Sequence, residues 1–233
     1  MPIRSAIFTT SNHLGLDHTG HAYRTAGKLV ALYSARHNTE AKAVFYFASP
    51  RRDLDRRDPI RQQEVLAEHF TGNGWESDHL LRQMRQAPDF YFDSVAQVHL
   101  DTWSRGRVAL IGDAAHCPSS LSGMGSGLAL VGAYVLAGEL AAAQGDHTRA
   151  FARYEAQMRA YAAGCQKMGD GVARLMIPGS RFLAAFLNRY YRLLPYLPGK
   201  NMASTMARKA AEAITLDDYG VRLAASALRR DAS

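Results

Sequence analysis

The sequence predicts a mixed α/β chain: an α+β layer of strands and helices that leads into a strand–loop–helix piece of a larger α/β domain. Three observations carry that expectation. Residues 29–35 (LVALYSA) and 42–49 (KAVFYFAS) are rich in Val, Tyr and Phe and flank the turn-forming run His37, Asn38, Thr39. A short apolar run, 108–111 (VALI), precedes a glycine-rich loop and a long helix of small residues. From Thr148 onward the pattern is helical.

Taken in order, residues 29–35 and 42–49 are predicted as neighbouring antiparallel strands, because β-branched and aromatic residues suit a pleated, half-buried surface. Residues 7–10 supply another strand. Asp58-Pro59 starts a helix, since Asp is a favoured N-cap and Pro suits the first helical position. Ile60, Val65, Leu66 and Phe70 give that helix an apolar face, and Gly72 and Gly74 end it. A second helix covers about 77–86 and stops before Pro88. Strand character returns over 90–100 (FYFDSVAQVHL), and a turn through Ser104, Arg105 and Gly106 leads to a buried strand over 108–111. The helix after the glycine-rich loop runs to about Leu140, and further helices are predicted over 148–168, 181–194 and 201–214. There is no internal repeat and no low-complexity segment.

With 233 residues and 47% hydrophobic content, the chain can bury one good core or two small ones. Its 28 Lys and Arg against 21 Asp and Glu give a net charge of +7. Such a balance admits nucleic acid, an anionic membrane or an anionic cofactor. The charges are scattered, however: Arg51, Arg52, Arg56 and Arg57 alternate with Asp53, Asp55 and Asp58. That is a solvated loop rather than a phosphate-tracking stripe, so nucleic acid is not an expected partner. Cys117 and Cys165 are far apart with no CxxC spacing, which fits a reducing cytoplasm and no disulfide framework. The opening MPIRSAIFTTSNHLG has no apolar signal-peptide core. Residues 181–198 are broken by Arg189, Arg192 and Pro195, so no transmembrane segment is expected there.

The segment 105–140, RGRVALIGDAAHCPSSLSGMGSGLALVGAYVLAGEL, carries the chemistry. Gly112 lets the backbone turn closely after the strand. Asp113 then stands at the strand's carboxyl end, where open α/β sheets place ligands. Its carboxylate either accepts hydrogen bonds from polyol hydroxyls or merely caps the following turn. Gly123, Gly125 and Gly127 alternate before the helix, allowing positive φ and close backbone approach, and a helix start offers unpaired N–H groups to an anion. In the helix, Leu128, Val131 and Val135 form a core stripe beside Ala129, Gly132, Ala133, Ala137 and Gly138. Repeated glycine there implies close packing against a sheet or a cofactor.

Together, GRVALIGDAAH, the Pro/Ser loop, GxG and the small-residue helix resemble the second flavin-binding motif of FAD-dependent aromatic hydroxylases, the p-hydroxybenzoate-hydroxylase-like superfamily. NHLGLDH, YSARHNTEAKAVFYFASP and AEAITLDDY resemble its tetracycline-inactivating branch, so the likeness covers nearly the whole chain. The resemblance implies FAD as cofactor and NAD(P)H as co-substrate, with oxygen from O2 transferred to an electron-rich aromatic or polyketide-like small molecule. It implies that Asp113 meets a ribityl hydroxyl and that N–H groups around Gly123, Met124 and Gly125 face the flavin N1–C2 edge. Gly112 and Ala114 would line the same turn, and residues from Pro118 to Leu121 would pass near the isoalloxazine ring. By this likeness residues 1–92 form the substrate domain, 93–145 the second FAD-binding motif and 146–233 C-terminal helices.

The chain departs from the family pattern at Ser120, where relatives carry a second proline, at Met124, usually Gln, and at Ser126-Gly127, often Thr-Ser. No strand-GxGxxG-helix, the unit that holds the ADP half of FAD, is present, nor is the Asp-Gly middle motif. The expectation is an incomplete fold of this type: weak in FAD affinity alone, apolar where the absent sheet would pack, and working with a complementing N-terminal half. The alternatives are a non-catalytic binding remnant and a membrane-surface anchor made by the C-terminal helices. His116-Cys117 has no second ligand pair at metal spacing, and His13, His18 and His21 are expected to decorate a loop.

Overall fold

In the computed structural model, residues 2–50, 57–193, 208 and 212–220 are described. The chain divides into two compact units: unit 1 comprises Met1–Val95 and Ala173–Pro198, and unit 2 comprises Ala96–Val172 and Gly199–Ser233.

Unit 1 is a five-stranded antiparallel sheet with helices. Strands β1 (Ile3–Thr10), β2 (Gly20–Thr25), β3 (Lys28–Ala35), β4 (Glu40–Ala48) and β5 (Tyr91–Val95) lie in the order β2-β3-β4-β1-β5. The two aromatic runs pair antiparallel as expected, with Val30 opposite Phe45 and Lys28 opposite Phe47. β1 starts earlier than its sequence suggested, and its strict alternation sends Ala6, Phe8 and Thr10 inward. Helices α1 (Pro59–Phe70) and α2 (Ser77–Met84) pack Val65, Leu66, Phe70, Leu80 and Met84 into the same core as Phe8, Phe45 and Phe47. The Asp58 carboxylate accepts from the Arg61 amide at 2.9 Å, so the Asp-Pro start of α1 is as expected.

β2 was not foreseen, because GHAYRT has no apolar alternation. Its pairing is imposed from outside, by β3 on one edge and α6 (Arg181–Leu193) on the other. Asn188 grips the free edge of β2: its amide donates to the Arg24 carbonyl at 2.9 Å and its oxygen accepts from the Arg24 N–H at 3.3 Å. Satisfying an exposed sheet edge in this way blocks further strand addition. Asp89, just before β5, accepts from the Thr9 amide at 2.7 Å and from Lys42 at 2.8 Å. Lys42 and Thr9 hold its carboxyl well below the usual carboxylate range.

Unit 2 contains the hairpin β6 (Ser104–Arg105) and β7 (Val108–Ala109), the one-turn helix α3 (Asp113–His116), the long α4 (Gly125–Ala142) and most of α5 (His147–Met176). Its core gathers Trp103, Ala115, Leu128, Val135, Tyr154, Met158, Tyr161 and Cys165. Three expectations are corrected here. Only 91–95 of the strand predicted over 90–100 is strand, because residues 96–100 leave the sheet to run along α5. The apolar run 108–111 is not a buried strand: only Val108 and Ala109 pair, and Val108 and Ile111 are exposed. Two rungs of hairpin leave those side chains without a covering layer among the described residues. The helix predicted over 148–168 continues to Met176. The helix predicted over 201–214 falls largely outside the described residues, as does the charge alternation over 51–56.

α4 is the one helix among the described residues long and apolar enough to cross a membrane, with a mean hydropathy of 1.4. It packs as a core helix on one side, through Leu128, Gly132, Val135 and Gly138. That side also buries Glu139, which faces Arg153 at 3.5 Å. The opposite side exposes Leu130 and Tyr134.

Candidate flavin-binding turn

The turn from Gly112 to Gly125 is built by backbone geometry. Gly112 has φ +59° and ψ −140°, a conformation L residues avoid, and an added Cβ would stand 3.3 Å from the Ala129 Cβ. Glycine therefore serves both the turn and the close approach to α4. Asp113 and Ala114 follow on α3 and are exposed. Ser120–Ser122 forms a single 3-10 turn, ended by Gly123 in the left-handed region at φ +65°. Met124 is the N-cap of α4 and Gly125 its first residue.

The structure brings Asp113 to the start of α4: its Oδ1 lies 3.8 Å from where a Gly125 Cβ would be. No side chain caps α4, so its first-turn N–H groups have no intrahelical acceptor and carry the positive end of the helix dipole. Positions 123 and 127 would each hold a Cβ in open space. An exposed carboxylate, free helix amides and glycines that leave both accessible suit a ligand with hydroxyls and an anionic edge. The residues present therefore fit the polyol and carbonyl edge of a flavin.

Not every expected residue faces outward. Pro118 and Leu121 are buried, and the Pro118 carbonyl lies 3.4 Å from the Gln97 amide nitrogen. Cys117 is half-buried, and its thiol lies 3.7 Å from the Ala96 carbonyl. Burial pushes the Cys117 thiol up from its usual value and the Asp113 carboxylate adds to this, against the Ser119 amide.

Behind the turn is a polar core that sequence reasoning missed. His116 is 1% exposed; its ring meets Trp103 edge-on at 4.6 Å, and its Nε2 lies 3.3 Å from the Tyr154 hydroxyl. Tyr154 in turn donates to the Leu110 carbonyl at 3.1 Å, tying α5 to the entry of the turn. Burial pushes the His116 pKa down, and burial followed by Glu155 pushes Tyr154 up to about 12. Among the described residues no group of three His, Cys, Asp or Glu is placed to hold a metal ion. His18 and His21 sit at the exposed surface. His13 pairs with Glu76 at 3.0 Å, and its ring packs at a tilt against His79, with centroids 4.3 Å apart.

Residues 12–167 match the FAD binding domain family. A flavin-dependent monooxygenase of Legionella longbeachae serogroup 1 (strain NSW150) is 45% identical over 166 residues, 71% of this chain and 43% of that protein. A second flavin-dependent monooxygenase, from an unknown prokaryotic organism, is 39% identical over 214 residues, 92% of this chain and 53% of that protein. Among solved structures, the tetracycline destructase Tet(55) superposes with a TM-score of 0.77 at 39% identity, over 93% of this chain and 55% of that one. Klebsiella pneumoniae HpxO complexed with FAD and uric acid shares the fold at 19% identity, with a TM-score of 0.66 over 90% of this chain and 52% of that one. The chain spans about half the length of the relatives it matches.

Proposed function

The chain belongs to the FAD binding domain family, and on that premise we propose that the turn from Gly112 to Gly125 holds the flavin of an NAD(P)H- and O2-dependent monooxygenase acting on an aromatic or polyketide-like small molecule. The observation that carries this reading is the pairing of Asp113 with the uncapped start of α4, within 3.8 Å of the Gly125 Cβ position. Asp113 accepts hydrogen bonds from the ribityl hydroxyls. The N–H groups around Gly123, Met124 and Gly125 face the N1–C2 edge; those of Gly123 and Met124 also donate to the Ser120 carbonyl at 3.3 Å and the Ser122 hydroxyl at 3.1 Å, and the uncapped helix start stabilises negative charge there. Gly112 and Ala114 line the same turn, and residues from Pro118 to Leu121 pass near the isoalloxazine ring. The chemistry FAD supplies when bound is hydride acceptance from NAD(P)H and activation of O2.

The rest of the chain serves that turn. Residues 1–92 are assigned as the substrate domain, 93–145 as the second flavin motif and 146–233 as the C-terminal helices. The likeness to flavin-dependent monooxygenases and to a tetracycline destructase supports the substrate class. Because these residues contain no GxGxxG unit, the ADP half of FAD is assigned to a βαβ unit outside them. The test joins this chain to the GxGxxG-bearing half of a flavin-dependent monooxygenase relative and measures O2-dependent NAD(P)H oxidation. The reading expects oxidation that rises with an added tetracycline-like or aromatic compound and yields its hydroxylated product. Oxidation no faster than with free FAD would sink it.

A further inference from the structure

We propose that Gln97, Gln166 and Gly169 are positioning residues that clasp the turn at Cys117, Pro118 and Ser119 from behind and thereby set the shape of the flavin site. The inference rests on the flavin reading above and adds residues from α5 and from the strand-leaving segment 96–103.

The clasp is defined by distances. Val98 donates its amide to the Cys117 carbonyl at 3.1 Å, and the Gln166 amide donates to the Val98 carbonyl at 2.7 Å. The Gln97 amide has a fixed sense, because its Nε2 faces the Gln166 carbonyl at 2.8 Å and the Pro118 carbonyl at 3.4 Å, which can only accept, and Asp170 at 3.3 Å. Its Oε1 lies 2.8 Å from the His99 Nε2. Gly169 closes the clasp. A Cβ there would stand 2.6 Å from the Pro118 carbonyl oxygen, 2.9 Å from the Ser119 hydroxyl and 3.2 Å from the Gln97 amide nitrogen.

Two contrasts show that this contact is specific. Gly164 and Gly171, on the same helix, would meet nothing within 4 Å. Glycine weakens a helix interior relative to alanine, and only at 169 does a close approach require it. Ser119 also stands at φ +73° and ψ 154°, a region sparsely populated by residues other than glycine, which persists only where the surroundings over-determine it. From Ser119 the constraint reaches the helix start: its carbonyl accepts from the Ser122 hydroxyl at 2.9 Å, and Ser122 accepts from the Met124 amide at 3.1 Å. Movement behind Pro118 is thus passed to the amides at the start of α4.

The test uses the full chain and four variants, with two readouts: hydrogen exchange of the amides from Ser119 to Met124, and FAD affinity by flavin fluorescence. Gly169→Ala is expected to speed that exchange and weaken FAD binding roughly tenfold, in keeping with the effect of overpacking a tight contact. Gly171→Ala, the same change in open space, is expected to alter neither. Gln97→Glu keeps the shape but turns a carboxylate toward two carbonyl oxygens and Asp170; it is expected to behave like Gly169→Ala, and adding Asp170→Asn to restore part of the loss. Unchanged exchange and affinity in both Gly169→Ala and Gln97→Glu would overturn the clasp. Exchange that responds as described in a parent chain that binds no FAD even when joined to a GxGxxG-bearing half would overturn the flavin reading instead, leaving the clasp without its role.

Discussion

Unit 1 is filled by rings, whereas the packing of unit 2 depends on side chains that are missing. In unit 1, Phe8, Phe45, Phe47 and Phe70 are all fully buried, with Phe45 edge-on to Phe70 at 4.9 Å. In unit 2, Gly138 and Gly169 let an aromatic ring or backbone come closer than a methyl group allows, Gly112 stands tight against the Ala129 methyl, and a His–Tyr pair lies in the core. A core of large side chains is harmed by truncation, because the surroundings collapse only partly around the cavity. A core of close approaches is harmed by addition. This contrast suits the roles proposed for residues 1–92, which would stand as a layer, and for the Gly112–Gly125 turn, which would be shaped around a ligand.

The largest effect expected from the contrast is in unit 1. Phe45→Ala should lower stability by about 3–5 kcal/mol, the range for removing a fully buried phenylalanine, read as a shift in urea midpoint. A change under about 1 kcal/mol would mean that the rings do not carry the unit.

Next comes an addition in unit 2. A Cβ at Gly138 would collide with the Tyr219 ring, whose hydroxyl lies 3.0 Å from the buried Glu139. Gly138→Ala should therefore cost about 1–3 kcal/mol despite the better helix propensity of alanine. A double-mutant cycle with Tyr219→Ala should show that most of the loss is absent in the truncated background. Additive losses would show that the contact is not the cause.

The third effect depends on pH. His116 has a folded pKa lowered by burial from 6.5, so the folded protein takes up this proton later than the unfolded chain. Its contribution is present above the unfolded value and is lost as pH falls below it. Thermal scans from about pH 7.5 to about pH 5.5 should show a steeper fall in Tm for the parent than for His116→Gln. Parallel profiles would remove the buried imidazole as the source.

The smallest effect belongs to Asp89, whose side chain is 41% exposed in its pair with Lys42. Its folded pKa is depressed from 3.8, so its stabilisation is present above that value and fades as pH falls below it. Asp89→Asn should lower Tm slightly at neutral pH, and the gap from the parent should narrow in acid. A gap that widens in acid would contradict the sign.

Much of unit 1 was legible from sequence, because alternation and caps are local signals: the 29–35 and 42–49 strands and the Asp58-Pro59 helix start lie where the pattern put them. β2 was not, since its place depends on Asn188, 164 residues away. The run 108–111 misled for a physical reason: four apolar residues suggest burial, but only partners can supply it, and Val108 is 65% exposed. At the site, Gly112, Asp113, Gly123 and Gly125 were legible because a turn into a helix start needs them at short spacing. Gln97, Gln166 and Tyr154 were not, because their roles are set by contacts 21 to 73 residues distant. Gly169 left one trace, a glycine inside a long helix.

The central claim is that the Asp113 turn binds flavin, and FAD titration of the purified chain followed by flavin absorbance and fluorescence tests it most directly, with Asp113→Ala alongside. The account predicts saturable binding that Asp113→Ala weakens by roughly tenfold or more, the scale of hydrogen bonds to a charged group. Equal affinity in the two proteins, or no saturation by the parent even when joined to a GxGxxG-bearing half, would contradict it.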